Sequence, residues 1–314
     1  MVSQTLTLLR KPPLAFGIWL ACTAALLALS GPAPAWAGTP ALLLGLAGAL
    51  AIGPLAGGPT RRNPLAALLP PFYSGVLAVA LIQALLEIHR VPSGLIPTPL
   101  AMFQAAWADR ALLLQDSWQT FVLESLSGMA VGIAIGLALA VLIVRVRFFE
   151  RGLLPYMVML ASLPVPAMAP LAVAAAGTGW GSKALLVAVV TIFPTVINGV
   201  RGMQSASPLS LDLLRSYGLE GLRTFAPLRL PAALPFLFTA LKIDLTLALI
   251  SAIVGEFFGS PGQGLGFRIK FEVSMFNMPL VWAAILYTTV LGLALYALIV
   301  VLERRLTFWH PSMR

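Results

Sequence analysis

FVLESLSGMAVGIAIGLALAVLIV, residues 121–144, decides the fold. Across its 24 positions the only charge is Glu124. At a rise of about 1.5 Å per residue, a helix of this length covers about 36 Å, enough to cross the roughly 30 Å hydrocarbon layer of a bilayer. Working outward, comparable apolar runs lie near Leu14–Ser30, Ala41–Leu55, Leu65–Leu86, Leu153–Ala176, Ala184–Val200, Ala232–Phe258 and Leu280–Leu302. The second is short, and Pro164, Pro166 and Pro170 break the fifth. The expected architecture is all-α: a polytopic transmembrane helix bundle of about eight spans.

Composition agrees. Of 314 residues, 59% are hydrophobic and 10% charged, whereas soluble domains run near 45–50% and 25%. A mean hydropathy of +0.94 exceeds what one buried core can absorb, so lipid must solvate much of the surface. The net charge of +9 does not indicate nucleic acid, because the basic residues sit in short breaks between apolar runs and not on one polar face. Cys22 lies within an apolar run, and His89 and His310 have no ligand spacing, so neither a disulfide framework nor a metal site is expected.

Loop charges set orientation. With eight spans and the N-terminus inside, inner segments carry fourteen basic residues: Arg10, Lys11, Arg61, Arg62, Arg145, Arg147, Arg151, Arg201, Arg215, Arg223, Arg229, Arg304, Arg305 and Arg314. Outer segments carry five: Arg90, Arg110, Lys183, Arg268 and Lys270. The positive-inside rule then places both termini in the cytoplasm. Arg10 and Lys11 before an apolar stretch ending Ala35-Trp36-Ala37 also have the form of a cleavable leader. The length of the run favours a retained first span. The chain divides into a two-span extension, 1–60, and a six-span body, 61–314.

The longest inner connection, residues 201–231, carries the functional reading. Ser207-Pro208 reads as an N-cap followed by proline at the first helical position. Leu211, Leu214, Gly218, Leu222 and Phe225 form one apolar stripe, with Asp212, Arg215, Glu220 and Arg223 between them. Gly218 is placed to end the first helix in a left-handed turn. Two short amphipathic helices follow from this pattern, with Pro227 and Pro231 closing the loop.

This loop resembles the cytoplasmic signature of the permeases of binding-protein-dependent ABC importers: EAA, three residues, Gly, nine residues, Ile, one residue, Leu-Pro. Here Asp212-Leu213-Leu214, Gly218, Leu228, Leu230 and Pro231 keep the spacing, with Asp for Glu and two Leu for Ala. Ile96-Pro97-Thr98-Pro99, Leu163-Pro164-Val165-Pro166, Gly255-Glu256-Phe257-Phe258-Gly259, Gly264-Leu265-Gly266 and Leu302-Glu303-Arg304-Arg305-Leu306 resemble the nitrate, sulfonate and taurine branch. The resemblance covers roughly residues 65–310. It implies a homodimeric, lipid-embedded inner-membrane permease with a separate ATPase subunit and an extracytoplasmic solute-binding protein. The loop 207–231 would be its coupling helix, with Asp212, Leu213, Leu214, Arg215, Gly218, Leu228, Leu230 and Pro231 meeting the ATPase.

Other features are weighed on chemistry. Gly177 to Lys183 superficially resembles a phosphate-binding loop, but Ser182 precedes the lysine, so ATP hydrolysis is expected on another chain and this one is expected to be no enzyme. Gly128, Gly132 and Gly136 form a small-residue face for close helix packing, within the subunit or at a dimer interface. Each ionisable group at a span's centre costs about 2.5–3.5 kcal/mol on insertion scales. Lys242 and Asp244 therefore stand out, with Glu256 nearer the outer end, as candidates for the translocation path. Two residues apart, Lys242 and Asp244 point about 200° apart on a helix and cannot pair with each other. Asp244 either faces the path or makes a buried structural pair, and Glu256 either gates the outer mouth or holds packing. Glu124 is expected at headgroup level, and the segment 91–119, with Trp107 and Trp118, as an interfacial helix. A self-sufficient secondary transporter using Lys242 and Asp244 is the rival function; no inverted repeat supports it.

Overall fold

The computed structural model describes residues 75, 78–79, 82–219 and 221–309. Among these there is no strand, and from Pro99 onward ten α-helices follow one another along the chain. The two runs before residue 60, most of Leu65–Leu86, Cys22, His310 and Glu220 lie outside the described residues, as do the side chains of Leu222 and Arg147.

Two compact units are present. The first comprises the described residues up to Ala105 together with Phe276–Pro279. In it, a helix over residues 82–88 leads to a turn at Arg90, whose φ is 48°, and then to Pro99–Ala108 (α1). Gln83 Oε1 accepts the Leu100 amide at 2.9 Å and fixes the start of α1.

The second unit, Ala106–Met275 with residues from Leu280 onward, holds the membrane bundle. Arg110–Ser117 (α2) runs through a π-helical stretch, Trp118–Leu126, into Ser127–Arg145 (α3) as one 36-residue apolar helix. Trp180–Gln204 (α6), Pro227–Phe258 (mostly α8, Leu230–Phe258) and Met278–Leu306 (α10) are also long and apolar enough to cross. Arg147–Leu160 (α4) and Val165–Ala176 (α5) form a pair bent by 99° and supply a fifth span if taken together. Prolines explain the bend. Pro164 donates no amide hydrogen and disfavours the helical region for Leu163 before it, while Pro166 takes a first-turn position of α5, where its missing amide is not needed.

Four of the five runs expected after residue 120 therefore lie in helices long enough to cross, with shifted edges, and the fifth, Leu153–Ala176, is this bent pair. One expectation fails: residues 91–119 are not a separate interfacial helix. From Arg110 they already belong to the first described span, because nothing between Arg110 and Phe121 terminates a helix. Trp118 is exposed on its surface, and Trp107 is exposed on α1.

The bundle's centre is α3, α6 and α8, and small residues set their spacing. A Cβ on Gly128 would strike Val187 Cβ at 2.7 Å, and one on Gly136 would strike Thr195 Cβ at 2.7 Å. At Gly132 a Cβ would collide with the Thr191 hydroxyl and the Ala188 carbonyl. The glycine face thus packs inside the subunit, against α6. Farther along α6, Gly202 lies under Ala233 of α8 in the same way. One cluster gathers Ala140, Ile143, Phe193, Val200 and Met203, and a second, with Met129, Val187, Leu245, Ala248 and Ile299, closes the rest of the core.

Candidate functional site

The described loop between α6 and α8 departs from the bundle at Ser205 and returns at Leu230. Pro208–Ser216 (α7) has no buried residue. Ser207 occupies the N-cap and Pro208 the first helical position, but the serine side chain makes no capping bond. The other end is closed by a Schellman motif. Gly218, at φ +73°, donates its amide to Arg215 O at 2.9 Å, and Leu219 donates to Leu214 O at 3.0 Å. Arg215 and Asp212 pair on the surface at 2.9 Å.

The second expected amphipathic helix does not form as a separate element. Gly221–Thr224 is one 3₁₀ turn, and Phe225–Arg229 is a π-helical turn that runs directly into α8. Leu228, Leu230 and Pro231 therefore belong to the foot of a membrane helix, rigidly joined to the span. Proline is tolerated at Pro231 because the first turn of a helix has no use for its missing amide. Leu211 and Leu214 are half-buried, as the stripe implied. The outward face carries a second apolar row: Leu209, Leu213 and Tyr217, exposed by 80%, 58% and 76%. Their spacing of four was legible in the sequence but lay hidden behind the inward stripe.

Halfway along α8, Asp244 is completely buried. Its Oδ2 accepts the Thr195 hydroxyl of α6 at 2.7 Å, while Oδ1 has no hydrogen-bond partner. Both residues line a cavity of about 170 Å³ whose other walls include Ile133, Leu137, Leu237, Phe238 and Leu241. Thr195 also packs into the Gly136 notch, which fixes its rotamer. Lys242 points elsewhere and pairs with Glu303 of α10 at 2.5 Å. The two ionisable groups of α8 are thus not partners of each other, in accord with their angular separation.

Near the end of the spans where α8 closes at Phe258, three side chains dock one short helix, Leu265–Ser274 (α9). The Gly264 amide donates to Asp116 Oδ1 at 2.9 Å, and the Leu265 amide to Thr120 Oγ1 at 2.8 Å. The amides of Gly266 and Phe267 both donate to Glu256 Oε2, at 2.5 and 3.1 Å. Thr120 in turn donates to Glu256 Oε1 at 2.7 Å. The four amides that open a helix, which it cannot satisfy itself, are all satisfied, and two carboxylates meet its positive end. Arg268 Nε reaches back to Asp116 Oδ2 at 2.8 Å. Gly264 is required here on two counts: its φ is +108°, and a Cβ would run into the Glu256 carboxylate.

Glu124 corrects an expectation. It is not solvated but buried beside this network, bonded to Gln119 through Oε1 with Oε2 unpartnered. Lys183, expected in an outer loop, is likewise buried; its Nζ donates to the Thr178 and Gly179 carbonyls and its charge faces Glu124 and Glu256. The missed signal is a spacing. Asp116, Thr120, Glu124, Gly128, Gly132 and Gly136 follow at intervals of four. In a pure α-helix each such step drifts by about 40°. The wider π-helical turns over Trp118–Leu126 oppose that drift and keep polar and glycine positions on one inward stripe.

The model of the family described as "binding-protein-dependent transport system inner membrane component" matches residues 132–308. The chain belongs to that family. A probable ABC transporter permease protein of Haemophilus influenzae is 32% identical over 73% of this chain and 92% of its own length. The formylaminopyrimidine transport permease protein ThiX of Halalkalibacterium halodurans is 30% identical over 69% of this chain and 87% of its own. The aliphatic sulfonates permease SsuC of Escherichia coli is 29% identical over 77% and 92%.

The permease is thus the multi-pass inner-membrane subunit of an ABC transporter and not itself an enzyme, and its family works with an ATPase and a substrate-binding protein. The self-sufficient carrier reading falls with this membership. The matched stretch includes α7, the Asp244–Thr195 pair and Glu256; Asp116, Thr120 and Glu124 precede it.

Proposed function

We propose that this permease works as a homodimeric importer subunit whose α7 protrusion seats in a groove of the ATPase subunit on the cytoplasmic side. Nucleotide-driven closure of the ATPases would then push α7, and through the continuous foot of α8 would tilt the span that carries Asp244. Alternating access to a small solute, delivered by a separate binding protein on the outer side, follows from that tilt. Both termini lie in the cytoplasm, residues 1–60 form a two-span extension, and 61–314 form the transporting body.

One observation carries the reading. An exposed helix with no buried residue presents Leu209, Leu213 and Tyr217 outward in a row. An isolated helix of this length is marginal in water, and its apolar row gains nothing from facing solvent. A protein groove covers such a row, and the Asp212–Arg215 pair beside it supplies a polar rim. The solute is of the size class carried by the relatives, among them formylaminopyrimidine and aliphatic sulfonates.

Co-purification tests this. The full-length permease, expressed with its ATPase, should retain that subunit, and Leu209→Glu with Leu213→Glu should release it without lowering the amount of permease in the membrane. Retention of the ATPase by the double variant would refute the proposed seat.

A further inference from the structure

The bent pair α4–α5 leaves irregular backbone at a depth where a span has least use for it. Met157 of α4 shares a buried cluster with Phe193 and Val196 of α6, while Val165 and Met168 of α5 pack against Leu186 and Val190. The break between them, residues 161–164, therefore lies near the level of Ile192, the middle of α6. All four residues of the break are exposed, as are Val158, Met159 and Leu160 before them. The Ala161, Ser162 and Leu163 amides donate back to Met157, Met159 and Leu160, and the Ser162 hydroxyl also donates to Met159 O at 2.6 Å. Among the described residues, the carbonyls of Ala161, Ser162 and Leu163 accept no backbone hydrogen bond. Pro164, three residues after Ala161, and Pro166, four after Ser162, have no amide to offer them.

Lipid offers such carbonyls no donor. Irregular backbone at membrane depth is tolerated only where it is buried in protein or lines a water-filled cavity. The described part of the subunit does not bury this break, and a second copy is poorly equipped to cover it. Exposed mid-span positions elsewhere, such as Val131 and Ile135 on α3 and Val290 and Leu293 on α10, are apolar. The hydroxyls exposed among them, Thr246 and Thr289, already donate to their own helices. Water meets the carbonyls in any geometry. Resting on the importer reading above, we propose that residues 161–164 line the water-filled solute path where it crosses the middle of the bundle. The carbonyls of Ala161, Ser162 and Leu163 keep water as their partner there, and a solute crossing the bundle passes them.

The test uses Ala161→Cys and Ser162→Cys, each in a full-length chain whose Cys22 has been replaced, with Ile135→Cys and Leu293→Cys as mid-span comparisons. The permease–ATPase complexes, in lipid nanodiscs, are treated with a permanently charged methanethiosulfonate, and labelling is followed by intact-protein mass spectrometry. The thiolate is the reacting form, and a thiol set against apolar surroundings stays protonated. Ala161→Cys and Ser162→Cys should therefore label at least tenfold faster than both comparison positions. Trapping the ATPase with vanadate should change the rate at Ser162→Cys at least threefold. Labelling no faster than at Ile135→Cys or Leu293→Cys would overturn the assignment, as would a disulfide between two copies at position 162 in place of labelling. A fast rate that vanadate leaves unchanged would overturn it too, since that describes a fixed wet crevice and not a path. A wild-type permease that does not hold the ATPase counts against the importer reading alone, because the labelling contrast is measured without nucleotide.

Discussion

Replacing Glu256 with alanine should undock α9 from the end of the bundle where α8 closes. The carboxylate receives the Gly266 and Phe267 amides and the Thr120 hydroxyl, all in buried or half-buried surroundings. Each donor left without an acceptor costs about 1–3 kcal/mol, so the two amides give about 2–6 kcal/mol before relaxation, while the Thr120 hydroxyl still has the Asp116 carbonyl at 3.1 Å. Water reaching the vacated space offsets part of this, and about 3–4 kcal/mol of local destabilisation is a reasonable net figure. At 1.4 kcal/mol per tenfold, amide exchange across α9 should then quicken by about 100- to 700-fold. Glu256→Gln keeps one acceptor oxygen and should fall between the two. Hydrogen exchange followed by mass spectrometry on peptides spanning residues 263–275 reads this directly, with peptides of α6 as internal control. If α9 exchanges at the wild-type rate in a folded Glu256→Ala protein, Glu256 does not hold that helix and the docking account is wrong.

Further perturbations separate packing from coupling. Gly132→Val inserts side-chain atoms where the Thr191 hydroxyl and Ala188 backbone already stand; overpacking of about 3 kcal/mol or more should collapse membrane accumulation, seen by immunoblot of washed membranes. Gly218→Val meets no neighbouring atom, since a Cβ there finds open space. Its effect is the strain of a left-handed β-branched residue, about 1–2 kcal/mol, confined to the end of α7; membrane levels should hold while transport-coupled ATP hydrolysis drops severalfold. Lys242→Ala strands Glu303, which is buried on α10. Discounted for the partial exposure of the lysine, the loss should be about 1–3 kcal/mol in thermal unfolding, and the exchanged pair Lys242→Glu with Glu303→Lys should recover part of it.

The bundle was legible because lipid solvation demands long apolar runs, and these survive any detail of packing: residues 121–144, 184–200, 232–258 and 280–302 all lie within described spans. Gly218 was legible for a similar reason, since only a glycine-type conformation closes a Schellman motif after Ser216. What escaped was tertiary. No local rule says that Thr195 turns its hydroxyl to Asp244 forty-nine residues away, or that Lys242 finds Glu303 on the last helix. Glu124 was misread as solvated because the span was counted from Phe121, whereas the helix begins at Arg110 and Glu124 packs inside the bundle. Continuity between the loop and α8 also escaped, because Pro227 and Pro231 look like terminators in sequence, yet both fit the opening turns of a span.

The most direct trial of the central claim is a cysteine at Leu213, in a chain whose single native cysteine, Cys22, has been replaced. In inside-out vesicles holding the assembled transporter, a short bifunctional maleimide should join that position to the ATPase subunit, and in intact cells a membrane-impermeant maleimide should leave it unlabelled. Labelling from the outer surface, or an ATPase that docks and turns over normally yet never cross-links there, would contradict the account.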